Sequence, residues 1–227
     1  MTAPPNPITP KLFHFLRDLA RHNERDWFNA NKARYLAEVR DPLLEFVAAF
    51  APELARISRC MVADPSPVGG SLFRIYRDTR FAKDKSPYKT HAGLSFRHAD
   101  GRDVHGPIFY LHLEPGRVFT AAGMWHPPSE SLKSIRDAIV AHPARWKRAT
   151  KAKATGLDDS DRLARPPRGY PADHPLVEDL KRKTFTNSES FSEKAACAAG
   201  FVAEYARACR RATPLVEFLA AAVGLEL

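Results

Sequence analysis

Apolar residues recur at helical spacing through the first quarter of the chain. Leu12, Phe13, Leu16 and Leu19 follow Thr9 and Pro10, which read as an N-cap and a first helical residue. Asn23, with Asp26 in the following turn, marks a second start, and Trp27, Phe28, Asn31, Tyr35 and Val39 give it a less regular stripe. Asp41 and Pro42 open a third helix whose apolar positions Leu43, Leu44, Val47, Phe50, Leu54 and Ile57 extend to Ser58. Pro52 inside it is expected to bend or divide it.

Beyond the turn-rich stretch 64–70 the period changes to two. Strands are expected near 72–78, 92–97, 107–114 and 117–122, the last two joined through Pro115 and Gly116 as an antiparallel hairpin. Helical patterning resumes at 129–141, 143–153, 175–183, 192–211 and 214–223, with an irregular stretch at 156–173 and no internal repeat. Helices, then clustered strands, then helices again predict an α+β fold with a central, mainly antiparallel sheet of four strands. The whole of 1–227 is expected to form one domain, with 1–8 flexible.

Alternation divides each expected strand into two faces. Phe73 and Ile75 oppose Arg74, Tyr76 and Asp78; Leu94 and Phe96 oppose Ser95 and Arg97; Phe109, Leu111 and Leu113 oppose Tyr110, His112 and Glu114. If the apolar sets align, Arg74, Tyr76, Arg97, Tyr110, His112 and Glu114 share a polar face that either carries a site or is simply solvated. Between the first two strands lie five cations, Arg77, Arg80, Lys83, Lys85 and Lys89, with Phe81 and Tyr88 available for stacking. Asp78 and Asp84 offer the alternative of local pairing with Arg80 and Lys85. Trp125, after the fourth strand, is either a platform for a ligand or a core aromatic.

Composition narrows the classes. Hydrophobic residues at 44% and charged residues at 27% suit a folded globular chain. No apolar run approaches the roughly 20 residues needed to span a bilayer, and four prolines among the first ten residues leave no signal-peptide core. A cytoplasmic protein without a membrane partner is expected. Cys60, Cys197 and Cys209 show none of the paired spacings of a zinc site or a disulfide framework. The net charge of +9 is concentrated in 70–105 and 143–227, each carrying +4. In the second of these, Arg145, Lys147, Arg148, Lys151 and Lys153 fall on one expected helix. Such excess suits nucleic acid or another polyanion, and equally a compositional bias toward arginine.

No glycine-rich phosphate loop is present, and no cofactor is indicated. His91, His98, His105 and His112 recur every seven residues, but an odd interval flips strand faces, so no metal site is expected from them. His112 and Glu114, two residues apart on one face, are with Asp78 the candidate proton-transfer groups.

The run from Arg74 to Thr90, RIYRDTRFAKDKSPYKT, resembles the signature of the family called domain of unknown function 2461. Phe15-Leu16, Asn23, Arg25, Trp27-Phe28 and Asn31-Lys32 are similar to that family's opening. Tyr110-Leu111-His112-Leu113, Pro115-Gly116, Gly123 and Trp125 resemble its hairpin region, and 163–175 its later segment. The resemblance covers most of the chain and implies no activity. The family has a serine where Ala82 stands and paired asparagines where His22-Asn23 stand, so neither Ala82 nor His22 is assigned a role. A serine nucleophile in the loop would rest on Ser86 or Thr90, which have no evident neighbouring base.

Three readings follow. The first is a module gripping an anion, foremost nucleic acid, through Arg74, Tyr76, Arg77, Arg80, Lys83, Lys85, Tyr88, Lys89, Arg97, Tyr110 and Trp125. The second is an enzyme for a small phosphorylated or carboxylated substrate, with proton transfer by His112, Asp78 or Glu114; it calls for a cleft joining His112 to the loop cations. The third is an interaction scaffold. Oligomeric state is not legible.

Overall fold

The computed structural model describes residues 6–100, 106–151 and 156–227. Four helical segments come first: α1 (Pro10–Arg21), α2 (Arg25–Ala30), α3 (Lys32–Tyr35) and α4 (Asp41–Ile57), with one π-helical turn at Leu36–Arg40 between the last two. A five-stranded antiparallel sheet follows in the order β1 (Met61–Val62), β2 (Ala92–His98), β3 (Ile108–Glu114), β4 (Arg117–Met124) and β5 (Phe185–Phe191). Between β4 and β5 lie α5 (Ser129–Ala141), α6 (Pro143–Thr150) and α7 (Val177–Leu180); α8 (Glu193–Ala196) and α9 (Phe201–Ala222) close the chain. The architecture is α+β, with one strand more than the patterning gave.

One face of the sheet is greasy. Leu94, Phe96, Phe109, Leu111, Leu113 and Val118 pack against α1, α4 and α9 in a core containing Phe13, Phe46, Phe50 and Tyr205. A second cluster, built from Met124, Ile135, Trp146, Phe185 and Phe218, joins the far end of β4 and β5 to α5, α6 and the end of α9. No helix among the described residues is long and apolar enough to cross a membrane.

The prolines do not divide their helices. Pro52 lies inside a continuous α4, and α9 passes through Pro214, so the helices expected at 192–211 and 214–223 are corrected to the single turn of α8 and one long helix. The reason is position: Pro52 and Ala48, like Pro214 and Arg210, are exposed, so water reaches the carbonyl each proline leaves unpaired. Meanwhile Cys209, Ala212, Leu215 and Val216 stay buried and hold α9 together across the gap in its ladder.

The strand expected at 72–78 is also corrected. Leu72 bridges Leu94 beside β2, but from Ile75 onward the segment turns to the returning limb of its own loop, where Tyr76 bridges Tyr88 and Lys89 N–H donates to Ile75 O at 2.8 Å. Changing partner midway leaves no run long enough for a strand. The expected helix at 175–183 shrinks to α7, and β5 takes the following residues.

Asn23 does not cap α2, whose N-cap is Glu24. Its side-chain amide donates to Tyr88 O at 3.0 Å and accepts from Tyr88 N–H at 3.0 Å, tying the helical quarter to the basic loop. The flexibility expected of 1–8 falls outside the described residues for 1–5. Asn6, in contrast, donates to the carbonyls of Ala196 and Ala198, and Ile8 is buried.

Candidate functional site

Pairing of β2 with β3 sets Gly93 opposite His112, Ser95 opposite Tyr110 and Arg97 opposite Ile108. These alternate with the buried apolar residues, so Arg97, Tyr110, His112 and Glu114 do share the polar face. From β4, Phe119 stands opposite His112 and Arg117 opposite Glu114 across the Pro115-Gly116 turn, where Gly116 takes φ 80. Arg74 and Tyr76 belong to the loop instead. Arg74 is exposed and its carbonyl accepts from Lys89 Nζ, while Tyr76 packs on Phe28 and Tyr88.

At the Arg117 end of this face the polar groups are closely connected. Tyr110 Oη lies 3.0 Å from His112 Nδ1, and His112 Nε2 lies 3.2 Å from Glu114 Oε2. A neutral ring satisfies both contacts by accepting the phenol proton and donating to the carboxylate. His112 stacks on His91 and on Phe119, each with ring centroids 4.6 Å apart. Tyr110 leans across Gly93, where a Cβ would come within 2.7 Å of its hydroxyl. Burial pushes His91 down to about 4, with His112 adding to the effect, and lowers His112 against the opposing pull of Glu114. Burial also lifts Tyr110 to about 12.

His91 is a residue that sequence reasoning set aside. Interval parity governs faces within one strand, whereas His91 immediately precedes β2 and His112 lies on β3, so register between the two decides. His98, at the other end of β2, bonds the Glu226 carbonyl, and His105 lies outside the described residues. Among the described residues, His91, His112 and Glu114 form the one trio of His, Cys or acidic side chains with donor atoms close enough to share a metal ion, all within 4.8 Å of one another.

The basic loop is largely self-satisfied. Arg77 pairs with Asp84, Arg80 grips Asp78 at 2.7 Å, and Lys85 donates to Thr79 O at 2.9 Å. The sequence alternative of local pairing is what forms, with Arg77 rather than Lys85 as the partner of Asp84. Hydrogen bonds from Arg80 hold Asp78 down at about 2. Tyr88 is buried against Phe28, and Lys83 is exposed. The loop leads into the first residues of β2, whereas α6 packs with Met124 at the opposite end of β4. The two basic segments therefore adjoin opposite ends of the sheet, whose β4 is roughly 24 Å long. Lys153 lies outside the described residues.

A cavity of about 300 Å³ opens on the polar side at the C-terminal end of β2, lined by Ser95, Arg97, Ser71, Asp64, Gly69 and their neighbours. The cleft that was to join His112 with the loop cations is not this one. Arg97 is the only residue of the sequence-derived set in its wall; Trp125 stands exposed beyond the end of β4, beside His126.

The outer wall of the cavity is a closed loop. Ser71 N–H donates to Asp64 O at 2.8 Å, Asp64 N–H to Ser71 Oγ at 3.0 Å, and Ser66 N–H to Asp64 Oδ1 at 2.8 Å. A Cβ at Gly70 would lie 2.4 Å from the Ser66 carbonyl oxygen, so only glycine lets the loop close this tightly. Hydrogen bonds from Ser66 lower Asp64, with the nearby Arg97 charge contributing least.

Two groups of this wall are uncommitted. Ser95 Oγ is buried with no partner among the described residues. Arg97 Nη2 reaches the Gly69 carbonyl at 3.5 Å, the outer limit of a hydrogen bond. The sequence marked 64–70 as turn-rich and Ser95 as polar-facing; pairing of Ser71 and Phe73 with β2, which brings them together, is a long-range contact.

Residues 11–218 match the profile of a family described as conserved hypothetical protein (DUF2461). No curated protein matches the chain.

Proposed function

The chain belongs to the conserved hypothetical family DUF2461, and from that premise, which brings relatives but no activity, we propose that the protein binds a small carboxylate- or phosphate-bearing molecule in the cavity beside Arg97. The observation that carries this reading is a pre-formed cavity of about 300 Å³ whose wall holds a buried hydroxyl with no partner, and a guanidinium with one marginal hydrogen bond, among the described residues. Buried polar groups are almost always hydrogen-bonded, and those left over in a concave site point to a ligand. Arg97 supplies the planar fork that matches an oxyanion, and Ser95 a single hydroxyl beside it.

Size favours a small ligand over a polyanion. The loop arginines are held by Asp78 and Asp84, and the basic helix adjoins the other end of the sheet, which argues against a continuous track of phosphate-binding cations among the described residues. Thermal denaturation of the full chain with inorganic phosphate, succinate and citrate tests the proposal. At a hundred times its Kd a ligand adds about 2.7 kcal/mol of stability, and Arg97→Gln is expected to abolish that gain. If none of these anions raises the midpoint, or if the rise survives Arg97→Gln, the reading fails. Salt-sensitive binding of short RNA in place of small anions would return the polyanion reading.

A further inference from the structure

We propose that His91, His112 and Glu114 form a binding site for one divalent transition-metal ion of the zinc class, separate from the anion cavity. Two imidazoles and a carboxylate are a donor set suited to zinc or its first-row neighbours, and three protein ligands leave a coordination position open.

The geometry is close to what an ion demands. Tetrahedral bonds of 2.0–2.1 Å place neighbouring donors about 3.4 Å apart. His112 Nε2 and Glu114 Oε2 already stand 3.2 Å apart. The remaining separations, bounded by 4.8 Å, close by at most about 1.4 Å through rotation of His91, which lies one residue before β2 and outside the ladder. Glu114, partly exposed, and His91 border solvent, while His112 is buried, so an ion enters from the side of the first two.

The surroundings support the same assignment. Tyr110 Oη beside His112 Nδ1 is an outer partner of the kind that orients a ligating imidazole: with Nε2 on the ion, Nδ1–H donates to the phenol oxygen. Lys89, on the loop side, donates to the Arg74 carbonyl, and the Arg117 guanidinium lies over Phe119 at 5.0 Å; Lys89 acts on His91, and Arg117 on both imidazoles, as through-space charge. An ion held here would polarise an oxygen ligand or acidify a bound water.

The test is calorimetric titration of Zn²⁺ into the chelator-stripped full chain, with Co²⁺ absorption as a second reading. One equivalent is expected to bind, with the visible bands of low-coordinate Co²⁺. His91→Gln and Glu114→Gln should each weaken binding at least tenfold, and Tyr110→Phe by about tenfold. His14→Gln, an exposed histidine on α1, should change nothing. Circular dichroism checks that each variant is folded, and His91 and Glu114, being only partly buried, are chosen because their replacement spares the core. Absence of saturable binding, or binding indifferent to both His91→Gln and Glu114→Gln, overturns the proposal. Anion binding that depends on Arg97 with no zinc binding would remove this inference alone; zinc binding without anion binding would remove only the function proposed above.

Discussion

The loop from Arg77 to Lys89 leads into β2 beside the strand end around His112, yet the two regions hold their polar groups in opposite ways. The loop carries five cations, and its arginines are matched by acids two to seven residues away in open solvent. The strand end carries fewer charges, but Tyr110 and His112 are largely withdrawn from water, and with the half-buried His91 they are bonded or stacked to one another. Charge density in sequence thus marks the region where electrostatics matters less. Screening and side-chain entropy cancel most of an exposed pair, whereas a polar group removed from water depends on its partner.

Substitutions can break that contrast, beginning with the largest effect. His112→Ala empties the space between His91 and Phe119 and strips Tyr110 and Glu114 of a partner; a loss of about 3 kcal/mol is expected in urea denaturation. Gly93→Ala is next. Its Cβ meets the Tyr110 hydroxyl at 2.7 Å and Phe73 Cδ2 at 3.1 Å. Displacing the phenol should cost about 2 kcal/mol and change the near-ultraviolet circular dichroism. Tyr110→Phe keeps the ring and deletes one hydrogen bond, for a loss of about 1 kcal/mol. Arg77→Ala with Arg80→Ala should leave the denaturation midpoint unchanged within error. A loop variant as damaging as Gly93→Ala would invert the comparison.

Much of the fold was legible in the sequence. α5 falls on 129–141 as expected because its apolar face is regular, and β3 because strict alternation admits one reading. β5 was missed because its sequence, FTNSESF, is apolar only at the ends, and Asn187 fills a buried position facing α9. The segment 72–78 misled for the converse reason: its alternation is real, but its hydrogen-bond partners change halfway. Of the candidate site, Tyr110, His112 and Glu114 came from one strand's parity and Arg97 from another's. His91, Ser71 and Asp64 required knowing which strand lies beside which, and periodicity carries no information about register between distant segments.

Asn23 shows how much can hang on one side chain. By answering both backbone groups of Tyr88, its carboxamide stands in for a neighbouring strand one residue long. The clasp needs a donor and an acceptor on the same planar group. Aspartate, identical in outline, would meet the Tyr88 amide and face its carbonyl with a second oxygen, so the exchange of a single –NH₂ for –O⁻ unfastens the approach to His91 from the helices behind it.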